Sequence, residues 1–242
     1  MEDNDGWHGI IGKKALDRAR RGYYAQIAHI DNQIGRVWNF IVRSNLGPTA
    51  VVFTSDHGEM LGDHHLFRKS YAYEGSARVP MIISVPDVPG SGHVCDRPAV
   101  LHDLYPTILD IAKAKPPSAT EGLSLLPALS SAKTGMLYER EYVHGEHSAC
   151  YDETNAMQFL TDGTEKYIWF PVTGKEQLFD LAADPSESRN LAETRSARLA
   201  EWRGELIRRL AERPDGLSDG NRLISGASPP SVRAALLEDA GT

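Results

Sequence analysis

Apolar residues recur at three- and four-residue spacing in the first part of the chain, between residues 15 and 43. The stripe consists of Tyr23, Ile27, Ile30, Ile34, Val37, Trp38 and Ile41. This period predicts an amphipathic helix, and the stretch "NLGP" that follows has the Gly-then-Pro order of a helix end. Two short apolar runs come next, "TAVVFTS" and "VPMIISVP", and each predicts a strand buried on both faces.

A second helix is predicted in "AVLHDLYPTILDIAKA". Its apolar stripe consists of Leu101, Leu104, Tyr105, Ile108, Leu109 and Ala112. The order helix, strand, loop, strand, helix predicts an α/β fold with a mostly parallel sheet. The loop "KPPSATEGLSLLPALSS" then marks a boundary, so we expect an α/β core in residues 1–135 and a small subdomain in residues 136–242.

The predicted subdomain is rich in short strands. "REYVHGEH", "AMQFLTDG", "KYIWFP" and "KEQLFDL" are separated by turn signals and predict a small antiparallel sheet. "DPSESRNLAETRSARLAEWRGELIRRLAER" predicts a helix that buries Leu199, Trp202, Leu206 and Leu210. The segment from "PDGLSDGN" onward is rich in Gly, Ser and Pro, and we expect it to be extended or loosely packed.

Composition excludes several classes of partner. With 26 Lys and Arg against 33 Asp and Glu, the net charge of −7 argues against a nucleic-acid partner. No apolar stretch approaches the ~20 residues of a membrane span, so no membrane partner is expected. The start "MEDNDGWHGI" is not a secretory signal; a cytoplasmic location is expected if Met1 is the true start, and otherwise the compartment stays open. Cys95 and Cys150 form one bridge or, as we favour, remain free thiols.

Ionisable residues are concentrated in "TSDHGEMLGDHHLFRK", residues 54 to 69. Asp56 and His57 directly follow the first predicted strand, and ligands of open α/β sheets bind outside the carboxyl ends of strands. A carboxylate beside an imidazole can bind a metal, and Lys69 could return as a positive charge for an anionic substrate. Alternatively, Asp56 caps a helix, His57 packs in a turn and Lys69 is solvated. The residues alone support both interpretations equally.

A longer stretch resembles a known family. "FTSDHGEMLGDHHLFRKSYAYEGSARVPMII", residues 53 to 83, is similar to the second signature region of the sulfatase family, in the alkaline-phosphatase-like superfamily. It combines Ser-Asp-His-Gly, Leu-Gly-x-His, a lysine thirteen residues after the aspartate, Tyr-Glu and Arg-Val-Pro. The stretches "YYAQIAHIDNQIGRV", "LHDLYPTILDIA", "EGLSLLPAL" and "QLFDLAADPSESRNLA" agree with the family's C-terminal half, so the resemblance covers roughly residues 20 to 213.

The resemblance implies metal-dependent hydrolysis of small-molecule sulfate esters. Asp56 and His57 would be ligands of a divalent metal, with calcium as the first expectation and manganese or magnesium as alternatives. Lys69 would contact the sulfate oxygens, as a substrate-binding and catalytic residue. His65 is a weaker catalytic candidate that faces the pocket or the leaving group, and Glu74 would form a structural pair with a nearby arginine, Arg78.

The family's nucleophile has no counterpart in the sequence. The resemblance implies a formylglycine made from a Cys/Ser-x-Pro-x-Arg stretch, yet Cys95 stands in "CDRPA" and Cys150 in "CYDET". The early paired acidic ligands of the family are also missing. We therefore expect the C-terminal portion of a sulfatase, without appreciable turnover by itself. We also expect an uncovered sheet edge, which favours self-association, complementation by an N-terminal portion, or marginal stability.

Two alternative functions stay open. The Asp-His pair is shared with phosphonate monoester hydrolases of the same superfamily, so hydrolysis of phosphonate or phosphate esters is the first alternative. The second is a non-catalytic remnant that binds an anion or a partner. "HGEH", with His144 and His147, looks like a small metal motif, but the two histidines lie three apart on a predicted strand or turn and point to different sides, which favours a structural role.

Overall fold

The computed structural model describes residues 7–88, 92–115, 120–130, 135–150 and 152–226. The helices and strands are, in chain order, α1 (Lys13–Arg43), β1 (Val51–Thr54), α2 (Glu74–Ala77), β2 (Met81–Ser84), α3 (Leu104–Ile111), β3 (Val143–His147), β4 (Met157–Thr161), β5 (Glu165–Trp169), β6 (Glu176–Asp180) and α4 (Ser196–Leu210). All of the predicted strands and helices are therefore present, several with shorter bounds.

The described residues group into two compact units. The first is formed from the described residues of Met1–Lys69, Arg78–Cys95 and Leu101–Leu137. The second is formed from Ser70–Ala77, Asp96–Val100 and the described residues of Tyr138–Thr242. The second unit thus includes a stretch from the middle of the signature region. The division into residues 1–135 and 136–242 stays a prediction.

Strands β1 and β2 pair antiparallel, with Val51 opposite Ser84 and Thr54 opposite Met81. The α/β class is correct, but the expected parallel sheet is not found: both sheets of the described residues are antiparallel. The reason lies in the connection, because parallel strands need a crossover, usually a helix. Between β1 and β2 the longest helix is α2, with four residues, so the chain folds back beside the strand it has left.

The helix α1 is amphipathic as predicted, but none of its 31 residues is buried. Along its stripe Ile30 is 54% exposed and Trp38 is 48% exposed. In the part of the chain that the structure describes, this apolar face is therefore open.

The most deeply buried residues at α3 are polar. Tyr105 and Ile108 of the apolar stripe are exposed, whereas Asp103 and Thr107 are completely buried. The cause is hydrogen bonding: the Asp103 carboxylate accepts from the Leu123 amide at 2.8 Å, and the Thr107 hydroxyl accepts from the Leu125 amide at 2.8 Å. The polar side of the helix therefore holds the following loop.

The second unit contains the main core of the described residues. Strands β3 to β6 form a four-stranded antiparallel sheet in consecutive order, as predicted. Alternation along the strands places two sets of side chains on opposite faces. One face packs against α4 in a cluster of Leu160, Tyr167, Trp169, Leu178, Leu199, Trp202, Leu206 and Leu210. The other face packs against the Ser70–Ala77 segment through Ala72, Met157, Ile168 and Phe179.

Two predictions about the second unit need correction. The last helix begins at Ser196 and not near residue 184. The Asp184 carboxylate accepts from Ser188 and from the Arg189 amide, which closes a turn in place of a helix. The segment after residue 213 is also better packed than expected, because Leu217 is buried in the α4 core. Residues 227–242 of that segment lie outside the described residues.

Two further properties bear on function. Cys95 and Cys150 are both free. Among the helices of the described residues, none combines the length and the apolar character that a membrane crossing requires.

Truncation of Leu206 tests the α4 core. Leu206 is fully buried, so Leu206→Ala leaves a cavity and should lower the free energy of unfolding by about 2–5 kcal/mol. Arg209→Ala, at an exposed position of the same helix, is the control and should change it by less than about 0.5 kcal/mol. Urea denaturation followed by tryptophan fluorescence measures both. Equal losses in the two variants would contradict the packing.

Candidate functional site

The first candidate residues lie where β1 ends. The Ser55 hydroxyl donates to the His57 carbonyl at 2.7 Å, and the Asp56 carboxylate accepts from the His57 amide at 3.0 Å. These local bonds turn the chain immediately after the strand. As a result the Asp56 side chain is 84% exposed and the His57 side chain 41% exposed, so both can meet a ligand from solvent.

The imidazole of His57 is oriented by its neighbour. Its Nδ1 lies 2.8 Å from the Gly58 carbonyl oxygen. A carbonyl oxygen can only accept, so this hydrogen bond requires the proton on Nδ1 and leaves the lone pair on Nε2. Metal-binding histidines commonly have this arrangement, with one ring nitrogen donating to a carbonyl and the other free to ligate.

The spacing of the two donor atoms fits neighbouring ligands of one ion. His57 Nε2 lies 3.5 Å from Asp56 Oδ2. Ligand bonds of about 2.3–2.6 Å at right angles place two donors about 3.3–3.7 Å apart, whereas the shorter bonds of magnesium place them about 2.9 Å apart. The spacing is therefore compatible with two neighbouring ligands of one divalent ion. The imidazole nitrogen, however, is a less usual ligand for calcium than for transition metals, so the donor types do not select calcium.

This pair is only part of a metal site. Within the described ranges, no group of three or more His, Cys, Asp or Glu side chains could hold a metal ion. Divalent metals take about four to eight ligands. The chemistry of Asp56 and His57 thus fits a divalent metal that would need further ligands.

The loop after this pair is closed at its base by Glu59. The Met60 amide donates to the Arg68 carbonyl at 2.8 Å. The Glu59 carboxylate accepts from the Leu61 and Arg68 amides, at 3.2 and 2.5 Å. Met60 is buried beneath this closure. Glu59 was not predicted as a functional residue, and in the sequence only its position next to the Asp-His pair could have indicated it.

The far side of the same loop is attached to α1. The Arg20 guanidinium donates to the Leu61 carbonyl at 3.0 Å and to the Asp63 carboxylate at 2.9 Å. At Gly62 the backbone has φ of +88°, and an added Cβ would lie 2.5 Å from a methyl carbon of Leu16. The loop therefore needs glycine at this position.

The backbone of this region is strained. Five residues other than glycine have positive φ, namely Leu61 (49°), His64 (54°), His65 (59°), Arg68 (68°) and Ser70 (83°). Such residues cost roughly 1–3 kcal/mol each and persist only where the surroundings hold them. Their concentration within ten residues marks this loop as a candidate functional element.

The remaining candidates, His65 and Lys69, are exposed members of this loop. The His65 amide donates to the Gly62 carbonyl at 3.1 Å. No hydrogen bond or ion pair of the described residues joins the side chain of His65 or Lys69 to Asp56 or His57. The structure thus brings Asp56 and His57 together, and the roles of Lys69 and His65 stay predictions.

The "HGEH" stretch forms β3 and is part of a polar chain. His144 Nε2 lies 2.7 Å from the Gln158 side-chain oxygen, and Gln158 donates to Glu146, which pairs with Arg213 at 2.7 Å. Burial lowers the pKa of His144. Strand alternation places His147 on the opposite face. This geometry supports the structural role that the sequence favoured.

Comparison with known proteins identifies the family. Residues 2–114 match the family model "Sulfatase", and residues 62–214 match "N-sulphoglucosamine sulphohydrolase, C-terminal". An arylsulfatase of Clostridium perfringens is 42% identical over 90% of this chain and 45% of its own length. A choline-sulfatase of Rhizobium meliloti is 36% identical over 76% of this chain and 35% of its own length.

Solved structures agree with this relationship. The phosphonate monoester hydrolase of Agrobacterium radiobacter superposes with a TM-score of 0.69 at 28% identity, over 79% of this chain and 41% of that one. The chain belongs to the sulfatase family, within the alkaline-phosphatase-like superfamily. It spans less than half the length of the relatives that it matches.

Alanine at Gly62 tests the strained loop. Gly62→Ala forces an unfavourable φ and a contact with Leu16, so it should lower the free energy of unfolding by about 1–3 kcal/mol. Gly35→Ala is the matched control, because Gly35 lies inside α1 with open space around it and should gain about 0.5–1 kcal/mol. Thermal melts measure both, and a neutral Gly62→Ala would contradict the loop geometry.

Proposed function

We propose that this chain supplies part of the metal site and the sulfate-binding lysine of an enzyme that hydrolyses sulfate esters. The observation that carries the proposal is the donor pair at the end of β1, with Asp56 Oδ2 and His57 Nε2 3.5 Å apart and open to solvent. Membership of the sulfatase family supports the reaction class.

Each candidate residue has a distinct role in this proposal. A divalent metal, when bound, would stabilise negative charge on the sulfate oxygens. Asp56 would bind that metal through a carboxylate oxygen. His57 would bind it through the lone pair of Nε2, because its Nδ1 carries the ring proton and donates it to the Gly58 carbonyl. Lys69 would donate charge-assisted hydrogen bonds to the sulfate oxygens. His65 would face the leaving group, as a weaker candidate.

The nucleophile is not assigned to this chain. None of the 242 residues stands in a Cys/Ser-x-Pro-x-Arg stretch, so the residues present do not fit a formylglycine.

The apolar surfaces of β1, β2 and α1 are open to a partner. We propose that β1 and β2 join a mostly parallel sheet, formed with an N-terminal sulfatase portion that covers the open apolar surfaces. Supporting this, the cross-strand pair Phe53 and Ile82 is 38% and 62% exposed, and the stripe of α1 is open. Self-association would be the alternative way to cover the same surfaces.

The proposed substrate is a small sulfate ester. Relatives carry the names arylsulfatase and choline-sulfatase, which supports this class without selecting a member. Phosphonate ester hydrolysis is the second candidate, favoured by the likeness to the Agrobacterium radiobacter phosphonate monoester hydrolase.

Metal binding by the chain tests the donor pair. Titration with manganese, followed by electron paramagnetic resonance, should show weak binding that Asp56→Asn and His57→Gln each reduce by at least about tenfold, because each removes one ligand. Calcium should compete for the same site. Asp63→Asn is the matched control. Asp63 is also followed by a histidine in the same loop, but its carboxylate already pairs with Arg20. Equal loss in all three variants would contradict the assignment.

Hydrolysis tests the reaction class. The chain alone, with an aryl sulfate and calcium or manganese, should show no appreciable turnover, and turnover lost in Asp56→Ala would overturn that expectation. A chimera in which this chain replaces the matching portion of the Clostridium perfringens arylsulfatase should hydrolyse aryl sulfate and lose activity in Asp56→Ala. A folded chimera that hydrolyses only a phosphonate monoester would favour the second candidate.

A further inference from the structure

Lys69 lies between two strained residues. Arg68 has φ of 68° and Ser70 has φ of 83°, and neither is glycine. Two left-handed residues on either side of one lysine fix the direction in which its side chain leaves the backbone, provided that both are held in place. The backbones of Arg68 and Ser70 therefore need hydrogen-bonding partners nearby.

On the N-terminal side the support comes from Glu59. Its carboxylate accepts from the Arg68 amide at 2.5 Å, and the Met60 amide donates to the Arg68 carbonyl at 2.8 Å. Both backbone polar groups of Arg68 are thus bonded, so this residue cannot relax without breaking the closure of the loop.

On the C-terminal side the support comes from a buried ion cluster. Lys166 is 1% exposed, and its ammonium donates to the Ala72 carbonyl at 2.7 Å, to Glu74 at 2.7 Å and to Glu187 at 2.9 Å. The other Glu187 oxygen accepts from the Glu74 amide at 2.6 Å. The Ala72 carbonyl and the Glu74 amide, which follow Lys69 in the chain, are therefore bonded to charged side chains of the second unit.

The cluster is itself held by a specific turn. Glu187 is 2% exposed and has φ of 54°, so it too is strained. Its amide donates to the Asp184 carbonyl at 3.0 Å, and the Asp184 carboxylate closes the turn through Ser188 and the Arg189 amide. This explains what part of the "QLFDLAADPSESRNLA" stretch does: it places a carboxylate beneath residues 72–74.

We propose that Lys166 and Glu187 are positioning residues for Lys69, which act by holding the backbone of residues 72–74 that follows it in the chain. This inference rests on the proposed function of Lys69. Lys69 is joined by its own peptide bond to Ser70, and Ala72 follows within about 10 Å of extended chain. The cluster therefore fixes the backbone three to five residues after Lys69, which limits how far the main chain of Lys69 can move.

Simple stability is a poorer explanation of this cluster. Buried ion pairs are often no more stabilising than well-packed apolar residues of similar volume. An apolar residue in place of Lys166 would pack beside Ile168 and Phe179, but it could not bond the Ala72 carbonyl. What the ammonium adds is a defined position for this backbone.

The same sheet provides a matched control on its other face. There Glu176 accepts from Arg203 at 2.6 Å and from the Tyr167 hydroxyl at 2.6 Å, away from the Ser70–Ala77 segment. Glu176→Gln therefore weakens a partly buried ion pair of the sheet without touching the segment. Glu187→Gln is the test variant, and Lys166→Met is a second test of the same cluster.

Amide hydrogen exchange tests the anchor. In Glu187→Gln and Lys166→Met, the amides of residues 71–77 should exchange at least about tenfold faster, because local opening becomes easier, while the β4 and β5 amides keep their protection. In Glu176→Gln the segment should stay protected. Unchanged exchange of residues 71–77, or a uniform rise across the sheet, would overturn the anchor.

Sulfate binding then tests positioning. With calcium present, sulfate titration is followed by the nuclear magnetic resonance signal of ¹³C-methylated Lys69, assigned with Lys69→Arg. Wild type and Glu176→Gln should respond equally, and Glu187→Gln should bind at least about fivefold more weakly, since the ammonium is no longer directed. Equal affinity in Glu187→Gln would overturn positioning. If the wild-type Lys69 signal does not respond to sulfate, the proposed function is overturned. Faster amide exchange confined to residues 71–77 of the two test variants would in that case still establish the anchor.

Discussion

A buried ammonium group must donate its hydrogen bonds to acceptors inside the protein. The arrangement of the second unit follows from the three acceptors of the Lys166 ammonium. Its partners Ala72 and Glu74 lie 94 and 92 residues away in sequence, and Glu187 lies 21 residues further along the chain. Removing any partner would leave a charge that is costly to bury. The pairing therefore requires that the middle of the signature region lie on the sheet, next to Met157, Ile168 and Phe179.

The signature region contributes residues to both compact units, and each part has its own supporting contacts. Upstream, short hydrogen bonds around Ser55 and Gly58 direct Asp56 and His57 outward at the end of β1. Downstream, the segment after Lys69 is bound by the sheet. Between these supports the backbone adopts positive φ at several residues other than glycine. Local strain stabilised by distant contacts is a common property of functional loops, and it accounts for a polar, exposed loop that is nevertheless well defined.

Much of the fold could be predicted from sequence because local patterns determine it. The period of α1, the four strands of the antiparallel sheet and the buried positions of α4 all follow from spacing of apolar residues. The parallel sheet is not found among the described residues, where both sheets are antiparallel, because strand direction depends on the connection, which the apolar run alone does not specify. The burial of Asp103 and Thr107 at α3 could not be predicted from the apolar stripe, because it depends on their hydrogen bonds to a distant loop.

The site was predictable in part for the same reason. Asp56 and His57 are adjacent in sequence, so their proximity needs no knowledge of tertiary structure. Lys166 and Glu187 could not be found, because a lysine within an apolar strand acquires its meaning only from partners far along the chain. Glu59 was missed because its carboxylate binds backbone amides, which leave no trace in the sequence.

Anomalous diffraction from crystals soaked with manganese and sulfate would test the central claim most directly. We expect a manganese peak about 2.0–2.4 Å from both Asp56 Oδ2 and His57 Nε2, with sulfate within hydrogen-bonding distance of the Lys69 ammonium. A manganese peak bound elsewhere, with neither donor as a ligand, or a sulfate that the lysine does not reach, would contradict it.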